Sequence, residues 1–364
     1  GGEDLSSMIT NGKTNKYDAI VVTNEMPVNR RGGVGSVIEN MASGFSSAGV
    51  NVLWFLIDHD YSGAEIERVM SGHQNVALGA YEEMELFSAP VINVHSYQHD
   101  SSFHDYLADK KVIYTIHSLL ICEAESNGVD LSGSIKQQED LISACDRVAL
   151  VSRAELEDYY RYGYHKINSS VCVVHNGLKT PVQTRKRSNN KTIGFCGRLV
   201  PRKRPEYVPM MLAEEGMEEY RALIAGRGFS SYARDLLHQL DLNDRVQYLG
   251  WCGGERLESF YNRIDVLAVP STYEPFGMVA LEAVARGIPV VCNRIGGLVE
   301  ILGDYAFYAA DDTYSAFRTA MNNWLTADDN TLEEMVSGAL GRYYESFTDV
   351  HMAQRYMNLF ESLR

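Results

Sequence analysis

The chain has 364 residues, 45% hydrophobic and 22% charged, with 48 acidic against 33 basic side chains and a formal net charge of −15. That length exceeds one simple core and predicts two domains, while the composition excludes a disordered, collagen-like or disulfide-scaffold chain. The charge disfavours nucleic acid and anionic membranes as partners, because both are polyanions.

Apolar runs of strand length alternate with amphipathic helical windows from end to end, which predicts parallel α/β architecture. Strands are predicted at 18–23, 51–57, 91–94, 112–116, 147–151 and 170–174, with helices at 35–43, 137–144 and 153–162. The polar stretch 182–191 has no periodicity and reads as an exposed linker or surface loop. A second α/β series follows, with strands at 192–195, 220–225, 245–249, 266–269 and 289–292. Two doubly wound sheets in tandem set a ligand cleft between them, outside the carboxyl ends of both strand sets. Chemistry is therefore expected in the loops that follow the strands.

Six cysteines (Cys122, Cys145, Cys172, Cys196, Cys252 and Cys292) form no Cys-x-x-Cys pair and no cluster with histidines, so they read as reduced core residues. No segment approaches the roughly 20 apolar residues that span a bilayer. Residues 1–17 are polar and lack a signal-peptide pattern. A soluble cytoplasmic protein with no metal-ligand cluster is the expectation.

The most informative stretch runs from Val269 to Val291 and on to Gly296, Gly297 and Glu300. It reads as strand, tight loop, helix, stop and strand. Pro275 and Gly277 shape the loop, Met278 to Arg286 make the helix, and Gly287 suits the position after its end. Backbone N–H groups at Phe276, Gly277 and Met278 point at an anion, helped by the helix dipole. Glu274 leads the loop and Glu282 sits about one turn into the helix, so two acids flank a phosphate-seeking helix end. That combination suggests a sugar nucleotide.

A bare pair of glutamates eight apart says little; the compound pattern says more. A strand ending Pro-Ser, then Glu-x-Phe-Gly, Leu-Glu-Ala, Ala-x-Gly-x-Pro-Val-Val and Gly-Gly-x-x-Glu resembles the retaining glycosyltransferases of family four (glycosyl transferases group 1). The resemblance implies a GT-B fold, two Rossmann-like doubly wound domains facing across a cleft, and a nucleotide-diphosphate sugar as co-substrate with no other cofactor. It also implies that Glu274 contacts donor-sugar hydroxyls, that Glu282 contacts the ribose, and that Phe276, Gly277, Met278 and Val279 complete the donor site. Gly-Arg-Leu-x-x-x-Lys at 197–203 is similar to the block such enzymes place after the first strand of the second domain. There Arg198 and Lys203 supply fixed positive charge for a diphosphate that gains negative charge as the glycosidic bond breaks. Arg202 and Arg204 read as solvated loop residues.

In the first domain a glycine-rich turn at 29–36 lacks the Rossmann Gly-x-Gly-x-x-Gly, which argues against dinucleotide oxidoreduction. By resemblance Gly33 and Val34 lie against the donor phosphates, while Arg30 and Arg31 read as solvated. His95 and His117 both fall at predicted strand ends. Tyr-Thr-x-His at 114–117 matches the family motif whose histidine lies near the transferred sugar, which gives His117 a catalytic role with Arg198, Lys203 and Glu274. Ser118 stands where the family often has Asp. His95, Ser152 and Arg153 are assigned to the acceptor side.

The resulting expectation has an acceptor domain at 1–182, a nucleotide-sugar domain at 183–347 and a helix at 348–364 crossing back to the first. Met352, Tyr356, Leu359 and Phe360 recur in that helix with packing periodicity. Residues 1–180 hold 13 basic and 24 acidic side chains, net −11, and the remainder 20 and 24, net −4. The negative charge of the first domain suggests a soluble acceptor: a sugar, an aminocyclitol or a natural product. The alternatives are a cell-envelope glycan or lipid glycosyltransferase at the membrane surface and a non-catalytic sugar-nucleotide-binding protein. The sequence leaves the oligomeric state open.

Overall fold

The computed structural model describes residues 16–25, 33–70, 75–181 and 189–364. Two compact units emerge. The first holds the described residues up to Ile121 with Leu131–Lys179 and Thr348–Arg364, and the second holds Cys122–Asp130 and Thr180–Phe347. The short segment Cys122–Asp130 thus belongs with the second unit, although the sequence reading keeps it in the first.

The sheet of the first unit contains β1 (Ala19–Thr23), β2 (Val52–Leu56), β3 (Val76–Leu78), β4 (Ile92–Val94), β5 (Val112–Ile116), β6 (Arg147–Leu150) and β7 (Val171–Val173). Its order is β3-β2-β1-β4-β5-β6-β7 with every pairing parallel. The second unit contains β8 (Thr192–Cys196), β9 (Arg221–Ala225), β10 (Val246–Gly250), β11 (Val266–Val269), β12 (Val290–Asn293) and β13 (Phe307–Ala309), in the parallel order β10-β9-β8-β11-β12-β13. The central strands are continuous apolar runs because helices cover both faces. β1, β2 and β5 are buried at every residue. The three-residue strands β3 and β13 escape a periodicity reading because so short a run carries no period.

Each sheet reverses its winding once, between β1 and β4 in the first and between β8 and β11 in the second. Ligands of doubly wound sheets bind outside the carboxyl ends at such switch points, where loops from the two central strands diverge. His95 follows β4, Arg198 and Lys203 follow β8, and Glu274 follows β11.

The C-terminal helix Asp349–Ser362 belongs to the first unit, packed against the first helix, Gly33–Ala48. Thr348 caps it in a capping box with His351. Met352, Tyr356, Leu359 and Phe360 are all buried, and the Phe45 ring meets Tyr356 at 6.2 Å and Phe360 at 6.0 Å. Each such side chain contributes roughly 1.5–3 kcal/mol through burial. Among the described residues, no helix is long and apolar enough to cross a membrane.

Candidate active site

In the second unit, β8 ends at Cys196 and leads through Gly197 and Arg198 into a single turn, Pro201–Lys203. That turn is tied to the loop after β11 by backbone and side chain. Thr272 N donates to Arg202 O at 2.8 Å, and Arg202 Nη1 donates to the Tyr273 carbonyl at 2.7 Å. Lys203 Nζ reaches both oxygens of Glu274, at 3.4 and 3.3 Å, with both side chains buried. Arg198 is exposed and donates to Glu123 Oε1 at 2.8 Å, while Arg202 Nη2 lies 3.6 Å from the same oxygen. Asn127 Oδ1 accepts the Arg202 N–H at 2.9 Å.

Arg202 is therefore a buried member of the cluster, 4% exposed, and not the solvated loop residue the sequence suggests. Arg204 sits in the left-handed region at φ 49° and pairs with Asp312 at 2.7 Å. Glu123 and Asn127 escape sequence reasoning altogether: they lie some 75 positions upstream, in the helix Leu120–Asn127, with no motif around them.

Electrostatics keep the buried pair ionised. Burial acts to raise the Glu274 carboxyl, but Lys203 and Arg202 outweigh it, and with a Ser271 hydrogen bond they hold the group below the usual carboxylate range. Burial pushes the Lys203 ammonium down from the ordinary lysine value; Glu274 opposes this, while Arg202 and Arg198 reinforce it. Three cations thus face two carboxylates in a chain that is strongly negative overall.

The loop carrying Glu274 is fixed from behind. Asn293 Nδ2 donates to the carbonyls of Pro270 and Ser271, both at 3.0 Å, and Gly297 N donates to Glu274 O at 3.1 Å. A Cβ on Gly296 would lie 2.1 Å from that same Glu274 oxygen, so this position admits only glycine. Gly277, at φ 100°, caps the N-terminus of the helix Met278–Ala285, whose first N–H groups have no preceding helical carbonyl. Phe276 is buried, and Met278 and Val279 open the helix half-buried. One turn on, buried Glu282 accepts from Arg286 Nη1 at 2.7 Å, and Arg286 also pairs with Glu258.

The first unit brings two sequence-predicted histidines together. β4 and β5 are neighbours, so the residues after them meet: His95 Nδ1 and His117 Nε2 are 2.9 Å apart. Burial holds His95 well below the ordinary histidine value, with a smaller push from His117, and burial lowers His117 to about 4. Behind His117 the loop is clamped. Glu155 accepts from Leu119 N at 3.2 Å, and Gln138 accepts from Leu120 N at 3.0 Å and donates to Ser118 O at 3.1 Å. Ser152 is buried as the N-cap of the helix Arg153–Arg161, its hydroxyl accepting from Glu155 N at 3.1 Å, and Arg153 is exposed beside it. Gly33 and Val34 form the first turn of the helix Gly33–Ala48, and Arg30 and Arg31 lie outside the described residues. Among the described residues no group of three His, Cys, Asp or Glu could hold a metal ion.

Residues 179–340 match the family model of glycosyl transferases group 1. An uncharacterized glycosyltransferase of Methanocaldococcus jannaschii is 33% identical over 184 residues, covering 48% of this chain and 46% of that protein. The D-inositol 3-phosphate glycosyltransferase of Corynebacterium diphtheriae is 28% identical over 321 residues, covering 73% and 75%. The chain spans about half the length of most curated relatives it matches. Among solved structures, Anabaena Alr3699/HepE in complex with UDP and glucose has a TM-score of 0.77 at 18% identity, covering 95% of this chain and all of the other. Sucrose-phosphate synthase from Thermosynechococcus elongatus has a TM-score of 0.76 at 18% identity, covering 95% and 98%. The second unit thus matches the glycosyl transferases group 1 over residues 179–340, and the chain has the two-domain, Rossmann-like GT-B architecture.

Proposed function

We propose that the chain is a retaining glycosyltransferase that moves a sugar from a nucleoside-diphosphate sugar to a hydroxyl of a small soluble acceptor, without a metal ion. One observation carries the reading: Arg198, Arg202 and Lys203 gather around Glu123 and Glu274 at the switch point of the second sheet, beside the N-terminus of a buried helix. Fixed cations and a helix end stabilise a departing diphosphate, filling the place that a divalent ion takes in other phosphate chemistry. Glu274, kept ionised by Lys203, takes sugar hydroxyls, Glu282 takes those of the ribose, and His117 meets a sugar hydroxyl.

In the transfer, the bond between the anomeric carbon and the phosphate oxygen breaks with its electron pair going to the diphosphate. The acceptor oxygen bonds to the anomeric carbon on the same face, and its proton passes to the departing phosphate. On the acceptor side stand His95, Ser152 and Arg153; of these Arg153 is exposed, while Ser152 and His95 are buried. All six cysteines are free, which supports a reducing, cytoplasmic setting. The net charge of −11 over residues 1–180 favours a neutral or amine-bearing acceptor, such as a sugar or an aminocyclitol. A phosphorylated cyclitol is the second reading, favoured by the name of the D-inositol 3-phosphate glycosyltransferases among the relatives.

The test incubates the protein with labelled UDP-, GDP- and ADP-sugars and a panel of cyclitols, cyclitol phosphates, amino sugars and sugars. Labelled product with retained anomeric configuration is expected. Lys203→Ala and Glu282→Ala should each cut transfer at least a hundredfold while still melting cooperatively. Near-normal turnover in both variants sinks the assignment. Saturable donor binding with no product from any acceptor favours the sugar-nucleotide-binding protein instead.

A further inference from the structure

Behind His117 runs a chain of hydrogen bonds whose direction is set by a backbone carbonyl. Asn93 Nδ2 lies 3.3 Å from Ile113 O, which only accepts, and 3.0 Å from Thr115 Oγ1. The amide nitrogen therefore faces β5, and Asn93 Oδ1 faces His95 Nε2 at 2.7 Å. An amide oxygen only accepts, so His95 carries its proton on Nε2. A neutral His95 then has a bare Nδ1, and the 2.9 Å contact to His117 requires His117 to donate from Nε2. Neutral His117 is left with a bare Nδ1, and among the described residues its ring bonds only to His95, through Nε2.

We propose that His95 is a positioning residue: with Asn93 it locks His117 in the Nε2–H tautomer, so that His117 offers only an acceptor nitrogen and selects a ligand group that donates, a sugar or cyclitol hydroxyl. The proposal rests on the functional reading above for the identity of that hydroxyl, but the lock itself rests on geometry. Asn93 and His95 are 0% and 5% exposed, whereas His117 is half-buried, so the relay lies behind the more exposed of the two imidazoles. A cationic His95 would reverse the chain by donating from both nitrogens, which burial beside a second imidazole opposes. Tyr356 of the C-terminal helix closes the far side, its ring 6.1 Å from His95 and its hydroxyl 3.4 Å from Thr115 Oγ1.

Long-range proton–nitrogen correlation spectra of the full chain with ¹⁵N-labelled histidine read each ring's tautomer, and His117→Asn assigns the His117 signals. In the wild type both His95 and His117 should be neutral Nε2–H rings. His95→Phe keeps the ring volume but removes the acceptor, so His117 should relax to a mixture of tautomers. Turnover should then fall about tenfold, the scale of one neutral hydrogen bond, with nucleoside-diphosphate affinity unchanged. His95→Gln, whose amide oxygen can accept from His117 Nε2, should restore both readouts. An Nδ1–H His117 in the wild type overturns the proposal, as does a His95→Phe variant with the wild-type tautomer and rate. If His95→Phe fails to fold, the wild-type and His95→Gln spectra decide. The spectra need no turnover, so a chain that transfers no sugar defeats the functional reading and leaves the tautomer lock to its own result.

Discussion

Lys203 Nζ lies 3.3 Å from Glu274 Oε2, and the two buried side chains come from loops that follow the two central strands of one sheet. Both charges are largely shielded from solvent, so each depends on the other. Removing one partner of such a pair costs about 3–5 kcal/mol, because an uncompensated charge stays buried. Lys203→Met should therefore lower the melting temperature by several degrees, and adding Glu274→Leu should recover most of that loss. Donor binding should not return in the double variant. A double variant that regains both stability and binding would show the pair to be structural only.

Arg202 tests whether geometry or charge matters in this cluster. Its guanidinium spans the Tyr273 carbonyl and Glu123, a reach that an ammonium does not reproduce. Arg202→Lys keeps the charge, and should weaken nucleoside-diphosphate binding about tenfold by calorimetry while lowering stability by roughly 1–3 kcal/mol for the lost buried hydrogen bonds. Unaltered affinity would place Arg202 outside the binding machinery.

Gly296 is the tightest contact behind Glu274. Alanine there meets the Glu274 carbonyl oxygen at 2.1 Å with φ at 53°, so the loop must move to fit it. Gly296→Ala should reduce transfer more than it reduces stability, which a comparison of kcat with the urea midpoint checks. Wild-type kcat would mean that the Glu274 loop tolerates displacement.

The histidines give a pH signature. His117 is lowered from its ordinary value of 6.5 to about 4. Between those values the unfolded chain holds a proton that the folded chain does not. Stability contributed by the neutral ring is complete above the unfolded value and falls as pH drops toward the folded one. The slope is up to about 1.4 kcal/mol per pH unit for each such ring. The wild type should lose stability between pH 6.5 and 4 more steeply than His117→Asn. Parallel pH profiles in the two proteins would contradict the lowered value.

How much of this was legible in the sequence follows from what each feature depends on. Continuous apolar runs located most of the central strands, and Glu274, Arg198 and Lys203 stood out because a compound motif surrounds them. Arg202 was misplaced because the run Pro201 to Pro205 does not reveal which of its cations faces inward; the hydrogen bond to Tyr273 O decides that. Glu123 and Asn127 were invisible, since their place beside Arg198 and Arg202 depends on a segment about 75 residues away in the chain. His95 and His117 were both found at strand ends, yet their contact depends on β4 and β5 being neighbours, a fact of strand order. Asn93 gave no signal at all, because a polar residue inside a strand has meaning only through what it faces.

Titration calorimetry of UDP, GDP and ADP with the wild type and with the Lys203→Met/Glu274→Leu double variant tests the central assignment most directly. Saturable binding of at least one nucleoside diphosphate by the wild type, weakened thirtyfold or more in a double variant that melts like the wild type, is the expected result. Equal affinity in the two proteins, or no binding of any nucleoside diphosphate by the wild type, would contradict it.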